Sequence, residues 1–240
     1  VKASLAFAFY LFTFSFLKGY FVIKGVILDI DGTLIDSNDA HARTWAETLA
    51  EFGYDVPFER VRRLIGMGGD HLLPAAIDVA DDSPLGKRIS GQRKQLFKRR
   101  ELPHIAAFPE VRPLLERMRA AGMRLAVASS AGEDELGPLL DRSGAQDLIE
   151  QRTSSGDAEQ SKPDPDIVRA ALERLGLPPE QVLMLGDTPY DIEAAGRAGV
   201  GCVALRCGGW RDADLRGALA IYDDPRDLLA HFSDSPFGAR

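Results

Sequence analysis

The sequence predicts an α/β fold: a parallel sheet covered by helices, with an all-α insert. Three observations lead there. From Lys24 onward, short apolar runs rich in Val, Ile and Leu alternate with amphipathic stretches of helical period. Three of the four runs end in, or directly before, an acidic or hydroxyl residue, where open α/β sheets bind their ligands. About ninety residues separate the first run from the second, far more than one crossover helix requires.

The runs at 25–29 (GVILD), 123–129 (MRLAVAS), 182–186 (VLMLG) and 201–205 (GCVAL) read as strands. Helical stretches at 110–121, 164–175 and 190–198 are stopped by Gly122, Gly176 and Gly199. Within the insert, Trp45, Leu49 and Phe52 fall at i, i+4 and i+7. Val61, Leu64 and Ile65 follow, then Leu72, Leu73 and Ala76, and a basic stretch runs from Lys87 to Arg100. The chain divides accordingly into an apolar N-terminal extension (1–23), a core built from 24–37 and 108–240, and a helical cap (38–107).

A length of 240 residues suits one domain or two. With 45% hydrophobic and 27% charged residues, disordered and fibrous classes are excluded. The net charge of -7 argues against a nucleic-acid partner, and it means that a phosphorylated ligand needs locally placed positive charge. Two cysteines, Cys202 and Cys207, form neither a disulfide framework nor a zinc knuckle, which predicts a reducing, cytoplasmic compartment. The first 24 residues are a different polypeptide: they hold six of the 12 Phe and two of the five Tyr, with three Lys and no acid. Their 13-residue apolar core at 5–17 is short for a membrane span, and no small-x-small cleavage site precedes the strand-like FVIKGVILD. An extension foreign to the fold, an uncleaved anchor and an additional packed element remain open, and a membrane partner enters only with the anchor. Oligomeric state is not legible.

Asp29-Ile30-Asp31-Gly32-Thr33 follows the first strand. Residues two apart on extended backbone face the same way, so both carboxylates enter one site. Acids so close resist ionising together unless a cation neutralises them or they share a proton. The pair therefore reads as a divalent-metal site with one nucleophilic carboxylate and one that moves protons, a solvated turn being the plainer alternative. At the other strand ends, the Ser129 hydroxyl is placed to bond a phosphoryl oxygen. Lys162, in SKPDPD, supplies a directed cation just before a helix. Asp187 closes VLMLG and Asp191 lies one helical turn beyond it.

In this order, DIDGT, AVASS, SKPDP and GDTPYD resemble the four motifs of the haloacid dehalogenase superfamily, and the resemblance spans residues 24–224. It implies a Rossmann-like parallel core with an inserted helical cap, and a Mg2+-dependent phosphatase acting on a small phosphorylated metabolite of the sugar phosphate or phosphoglycolate class. By the same resemblance, Asp29 attacks phosphorus to form an aspartyl-phosphate, and Asp31 protonates the leaving oxygen and then activates water. Mg2+ is held by the Asp29 carboxylate, the Asp31 carbonyl and Asp187, with Asp191 a ligand or an orienting group. Ser129 and Lys162 hold the phosphoryl group, and Thr33 positions the loop. An insert at this place is similar to the cap of the β-phosphoglucomutase and phosphoglycolate phosphatase branch. His41, in DSNDAH, lies where members of that branch carry a His near the cap hinge. Gly68, in GMGGDH, reads as backbone open to substrate or as a plain turn, and Lys94 is the member of the basic run assigned to substrate.

Asp31 argues against dehalogenation, since a leaving halide needs no proton. The Gly186-Asp187 and Asp191 pattern favours hydrolysis over a phosphosugar mutase, the alternative reaction. A non-catalytic phosphometabolite-binding protein would have lost a charged site residue, and none is missing.

Overall fold

The structure, a computed structural model, describes residues 22–238. The apolar stretch at 5–17 lies outside them, so the sequence readings of that segment find no counterpart here. Ile23, at the end of the predicted extension, packs against the sheet core. Among the described residues, no helix is long and apolar enough to cross a membrane.

Six strands, β1 (Gly25–Leu28), β2 (Arg124–Ala128), β3 (Gln151–Thr153), β4 (Val182–Gly186), β5 (Gly201–Leu205) and β6 (Ala220–Tyr222), form one sheet in the order β3-β2-β1-β4-β5-β6. Every pairing is parallel. The four predicted strands are its centre. The edge strands β3 and β6 are three residues each, too short for periodicity to show.

Between β1 and β2 lie α1 (Asn38–Glu51), α2 (Phe58–Arg62), α3 (Gly69–Ile77) and α4 (Pro84–Arg100). Trp45, Leu49, Val61, Leu72, Leu73 and Ile89 pack together as an apolar centre of their own, with Phe52 at its margin. Ser83 opens α4 by accepting the Gly86 N–H at 3.0 Å, with Pro84 in the first turn. The remaining helices are α5 (Val111–Ala120), α6 (Glu133–Ser143), α7 (Asp166–Leu175), α8 (Pro189–Arg197) and α9 (Pro225–Ala230).

Period-two alternation sorts the strand side chains onto two faces. Val26, Leu28, Leu125, Val127, Leu183, Leu185, Val203 and Leu205 point to one face and meet Leu114, Leu115 and Met118 of α5, Leu136, Leu139 and Leu140 of α6, and Leu228 of α9. Ile27, Ala126, Ala128, Met184, Cys202 and Ala204 point to the other, where smaller side chains let α7 and α8 approach with Ile167, Val168, Ala171, Ala194 and Ala195. Burial on both faces explains why these strands are continuous apolar runs.

The insert is fastened to this core by polar contacts. Arg93 of α4 donates to Glu135 of α6 at 3.0 Å, and Asp70 of α3 accepts the Ser161 N–H at 2.9 Å. Arg62 of α2 donates to the Gly208 carbonyl. Leu28 sits at the middle of the sheet with no exposed surface. Leu28→Ala is expected to lower unfolding free energy by about 2–5 kcal/mol in chemical denaturation; a loss under about 1 kcal/mol would contradict this core.

Candidate active site

The strand order reverses between β1 and β4, both of which neighbour each other at the centre of the sheet, and a crevice opens beyond their carboxyl ends. Asp29 follows β1 directly, its N–H bonded to the Leu185 carbonyl of β4 at 2.9 Å. Asp187 follows β4. Parallel register therefore brings the two acids together from 158 positions apart in the chain. Lys162 enters from the segment between β3 and α7, almost wholly buried. Its ammonium donates to Asp29 Oδ1, and to Asp191 Oδ1 at 2.7 Å.

Asp191 is fully engaged. Its Oδ2 accepts the backbone N–H of Thr188 at 3.0 Å and of Asp187 at 3.2 Å, and the Thr188 hydroxyl at 2.8 Å. Thr188 in turn accepts the Asp191 N–H, a reciprocal cap on the first turn of α8. Asp191 thus aims Lys162 and fastens the Asp187 turn. The Asp31 carboxylate makes its hydrogen bonds outside this group: its Oδ1 accepts the Ser37 hydroxyl at 2.5 Å and lies 2.9 Å from His41 Nε2. The His41 ring is stacked on Phe97, centroids 4.0 Å apart and 9° from parallel.

Asp187 is held on both oxygens, by Thr33 Oγ1 at 2.9 Å and Asn38 Nδ2 at 2.9 Å, and Thr33 also reaches Asp29 at 3.4 Å. Gly32 makes this possible. Its φ of 82° belongs to the left-handed region, and a Cβ there would collide with the Asn38 amide and the Asp187 carboxylate.

Burial pushes the Asp29 carboxyl up to about 7, with repulsion from Asp191 and Asp31 added, against the pull of Lys162. Burial likewise drives Asp187 well above the usual carboxylate range, reinforced by Asp191 and Asp29. For Asp31, burial opposes ionisation, but His41, the Ser37 hydroxyl and Lys162 together hold the carboxyl below its ordinary value. Lys162 is raised: its burial penalty is exceeded by attraction to Asp191 and Asp29. Oxygens of Asp29, Asp187 and Asp191 lie within 4.8 Å of one another, around a single ammonium. Hard oxygen donors in negative excess fit a divalent cation such as Mg2+, and Asp29, Asp187 and Asp191 are the carboxylates that could hold it.

Above Asp29 and Asp31 the insert closes a cleft lined by His41, Trp45, Ile65, Gly66 to Gly69, Arg93, Ser130 and Ala131. Gly68 lines it, and it is glycine because a Cβ would strike the Ser161 side chain of the core. Lys94, the expected substrate cation, does not line this cleft. It faces an adjoining hollow, 3.8 Å from Asp134. One residue along a helix turns the side chain by about 100°, and it is Arg93 that faces the cleft. Its guanidinium lies over the rings of Trp45 (5.0 Å) and Phe97 (5.6 Å), and its Nε is buried without a partner. Ser129 accepts the Ala131 N–H at 3.1 Å; its neighbour Ser130 lines the cleft with an unpartnered buried hydroxyl. Ser37, Asn38, Arg93, Ser130 and Thr188 were not singled out by sequence. Asn38 and Ser37 lie within DSNDAH beside His41, which was the available signal.

A family model described as haloacid dehalogenase-like hydrolase matches residues 26–205. The chain belongs to this family. It is an enzyme with the parallel α/β core shared by the family's hydrolases. The phosphoglycolate phosphatase of Rhodospirillum rubrum is 34% identical over 213 residues, covering 84% of this chain and 87% of that protein. The crystal structure of a hydrolase from Pseudomonas syringae superposes with a TM-score of 0.82 at 31% identity, covering 88% of this chain and 98% of the other. The structure of CbbY from Rhodobacter sphaeroides in complex with phosphate gives a TM-score of 0.73 at 28% identity, covering 86% and 96%.

The raised Asp29 carboxyl has a consequence for stability. Folded protein holds this proton up to about pH 7, whereas the unfolded chain releases it near 3.8, so stability falls as pH rises through that window. In EDTA, Asp29→Asn is expected to have a higher Tm than wild type at pH 8, the gap shrinking as pH falls toward 4. A gap that is constant with pH would contradict the assignment.

Proposed function

We propose that this enzyme is a Mg2+-dependent phosphatase that hydrolyses a small phosphorylated carboxylate of the 2-phosphoglycolate class through an aspartyl-phosphate on Asp29. The observation that carries the reading is the contact of buried Lys162 with Asp29, two residues before an Asp31 engaged by His41 and Ser37. A nucleophile, a cation for the phosphoryl group and a separate proton carrier stand at one strand end.

Asp29 attacks phosphorus as the bond to the leaving oxygen breaks, and that oxygen takes a proton from Asp31. Asp31 enters this step in its protonated form, its Oδ1 2.9 Å from His41 Nε2. Asp31, held in its ionised form by His41 and Ser37, then takes a proton from water as that water attacks the phosphorus of the aspartyl-phosphate. Inorganic phosphate leaves and the Asp29 carboxylate is restored. Lys162 and the Ser130 hydroxyl offset charge on the equatorial oxygens, where phosphoryl transfer gains most from positioned donors. Asp29 and Asp187 would hold Mg2+, which when bound supplies positive charge that keeps both carboxylates ionised and offsets that of the phosphoryl group.

Arg93 supports this substrate class. A carboxylate without hydrogen bonds does not enter a closed cleft cheaply; Arg93 lines this one, and while its Nη1 serves Glu135, its Nε is left to donate. The R. rubrum relative carries the name of the same reaction. Both cysteines are free thiols, in keeping with a reducing, cytoplasmic location.

Phosphate release from 2-phosphoglycolate should require Mg2+ and fall at least about a thousandfold in Asp29→Asn; activity surviving that substitution would sink the mechanism. Arg93→Ala should raise KM for 2-phosphoglycolate about 10- to 100-fold, the loss of a charged hydrogen bond, while barely changing KM for p-nitrophenyl phosphate. Equal effects on both substrates would remove Arg93 from carboxylate recognition. Preferential conversion of β-glucose 1-phosphate to glucose 6-phosphate would assign the mutase reaction instead.

A further inference from the structure

Asn38 is the first residue of α1 and only 2% exposed. Its amide nitrogen spends both hydrogens on the acidic group. One goes to Asp187 Oδ2 at 2.9 Å and the other to the Gly208 carbonyl at 3.2 Å. The Gly208 carbonyl only accepts, so the nitrogen and not the oxygen must face this pair. The amide oxygen, by contrast, is buried and has no partner.

That arrangement is a poor device for stability. A buried, unsatisfied oxygen costs free energy, and each group that Asn38 serves has a second donor: Thr33 Oγ1 bonds Asp187 at 2.9 Å, and Arg62 bonds the Gly208 carbonyl. The backbone nonetheless makes room for it. A Cβ at Gly32 would collide with the Asn38 amide, and one at Gly208 with the Asp187 carboxylate. With a donor on each oxygen, the Asp187 carboxylate is fixed in rotation in a way that Thr33 alone does not achieve.

We propose that Asn38 is a positioning residue for the divalent cation: its amide sets the orientation of the Asp187 carboxylate toward Asp29, and cation affinity depends on it. The inference rests on the cation-dependent reading of this site. Groups that orient a metal ligand from behind typically govern affinity by 10- to 100-fold when removed. The Asn38 amide is uncharged, so it orients Asp187 without competing with the cation for the site as a second ammonium would.

The test is Mn2+ binding to the full-length, substrate-free protein, read from the free-Mn2+ signal in electron paramagnetic resonance. Asn38→Ala and Asn38→Ser, whose hydroxyl falls short of Asp187, should each weaken Mn2+ binding about 10- to 100-fold. Their Tm in EDTA should stay within about 4 °C of wild type, because Thr33 and Arg62 remain in place. Arg62→Ala, which removes the other donor to Gly208 without touching Asp187, should bind Mn2+ within about twofold of wild type. Affinity within twofold of wild type in the Asn38 variants would overturn the inference alone. An equal loss in Arg62→Ala would overturn it by routing the effect through the Gly208 loop. A collapse of Tm in both Asn38 variants would overturn it by making the residue structural. Wild-type protein that binds no Mn2+ would instead overturn the cation-dependent reading, and this inference with it.

Discussion

One buried ammonium shared between carboxylates governs this molecule. Lys162 serves Asp29 and Asp191, with Asp187 alongside, and a lone ammonium does not neutralise three buried acids. Interior charge without compensation costs several kcal/mol per ion, so the fold spends structure on holding the group together. The parallel register of β1 and β4 supplies Asp29 and Asp187, and the reciprocal cap of α8 supplies Asp191 with three donors on one oxygen. What remains uncompensated is negative charge, which favours taking up a cation. The strain that burial places on Asp29 and the affinity of the site have the same origin.

The two carboxylates of DIDGT occupy the same strand end but separate environments. Asp29 faces the ammonium and the other acids, and burial dominates its behaviour. Asp31 faces His41 and Ser37, and these partners dominate instead. Phe97 ties the second environment to the insert: it belongs to the sheet core, carries the His41 ring on its face and lies beneath the Arg93 guanidinium. A single aromatic on α4 therefore aligns the proton carrier and the cation of the cleft on the same support.

The parts legible in sequence are those with a long-range rule behind them. Continuous apolar runs mark strands buried on both faces, and Asp29 and Asp187 directly follow two of them, so their meeting at one edge of the sheet is legible without coordinates, whereas Lys162 stands out only through its motif. What escaped had no such rule. The three-residue edge strands carry no period. In α4, Lys and Arg recur on nearly every turn, which hides that Arg93 lines the cleft while Lys94 lines only the adjoining hollow. Asn38 and Ser37 are common residues at the start of a helix, and only the fold reveals that their side chains serve acids reached from distant strands. Gly68 reads as open backbone because its glycine is required by a contact, with Ser161, that no local pattern records.

In the proposed reaction Asp29 forms a bond to phosphorus. The direct measurement is rapid acid quench of the enzyme with Mg2+ and radiolabelled 2-phosphoglycolate, followed by peptide mapping. Label that appears on the peptide containing Asp29 before free phosphate accumulates, and is removed by hydroxylamine, is the predicted result. Phosphate released with no labelled enzyme at any time, or label on a different peptide, would contradict the account.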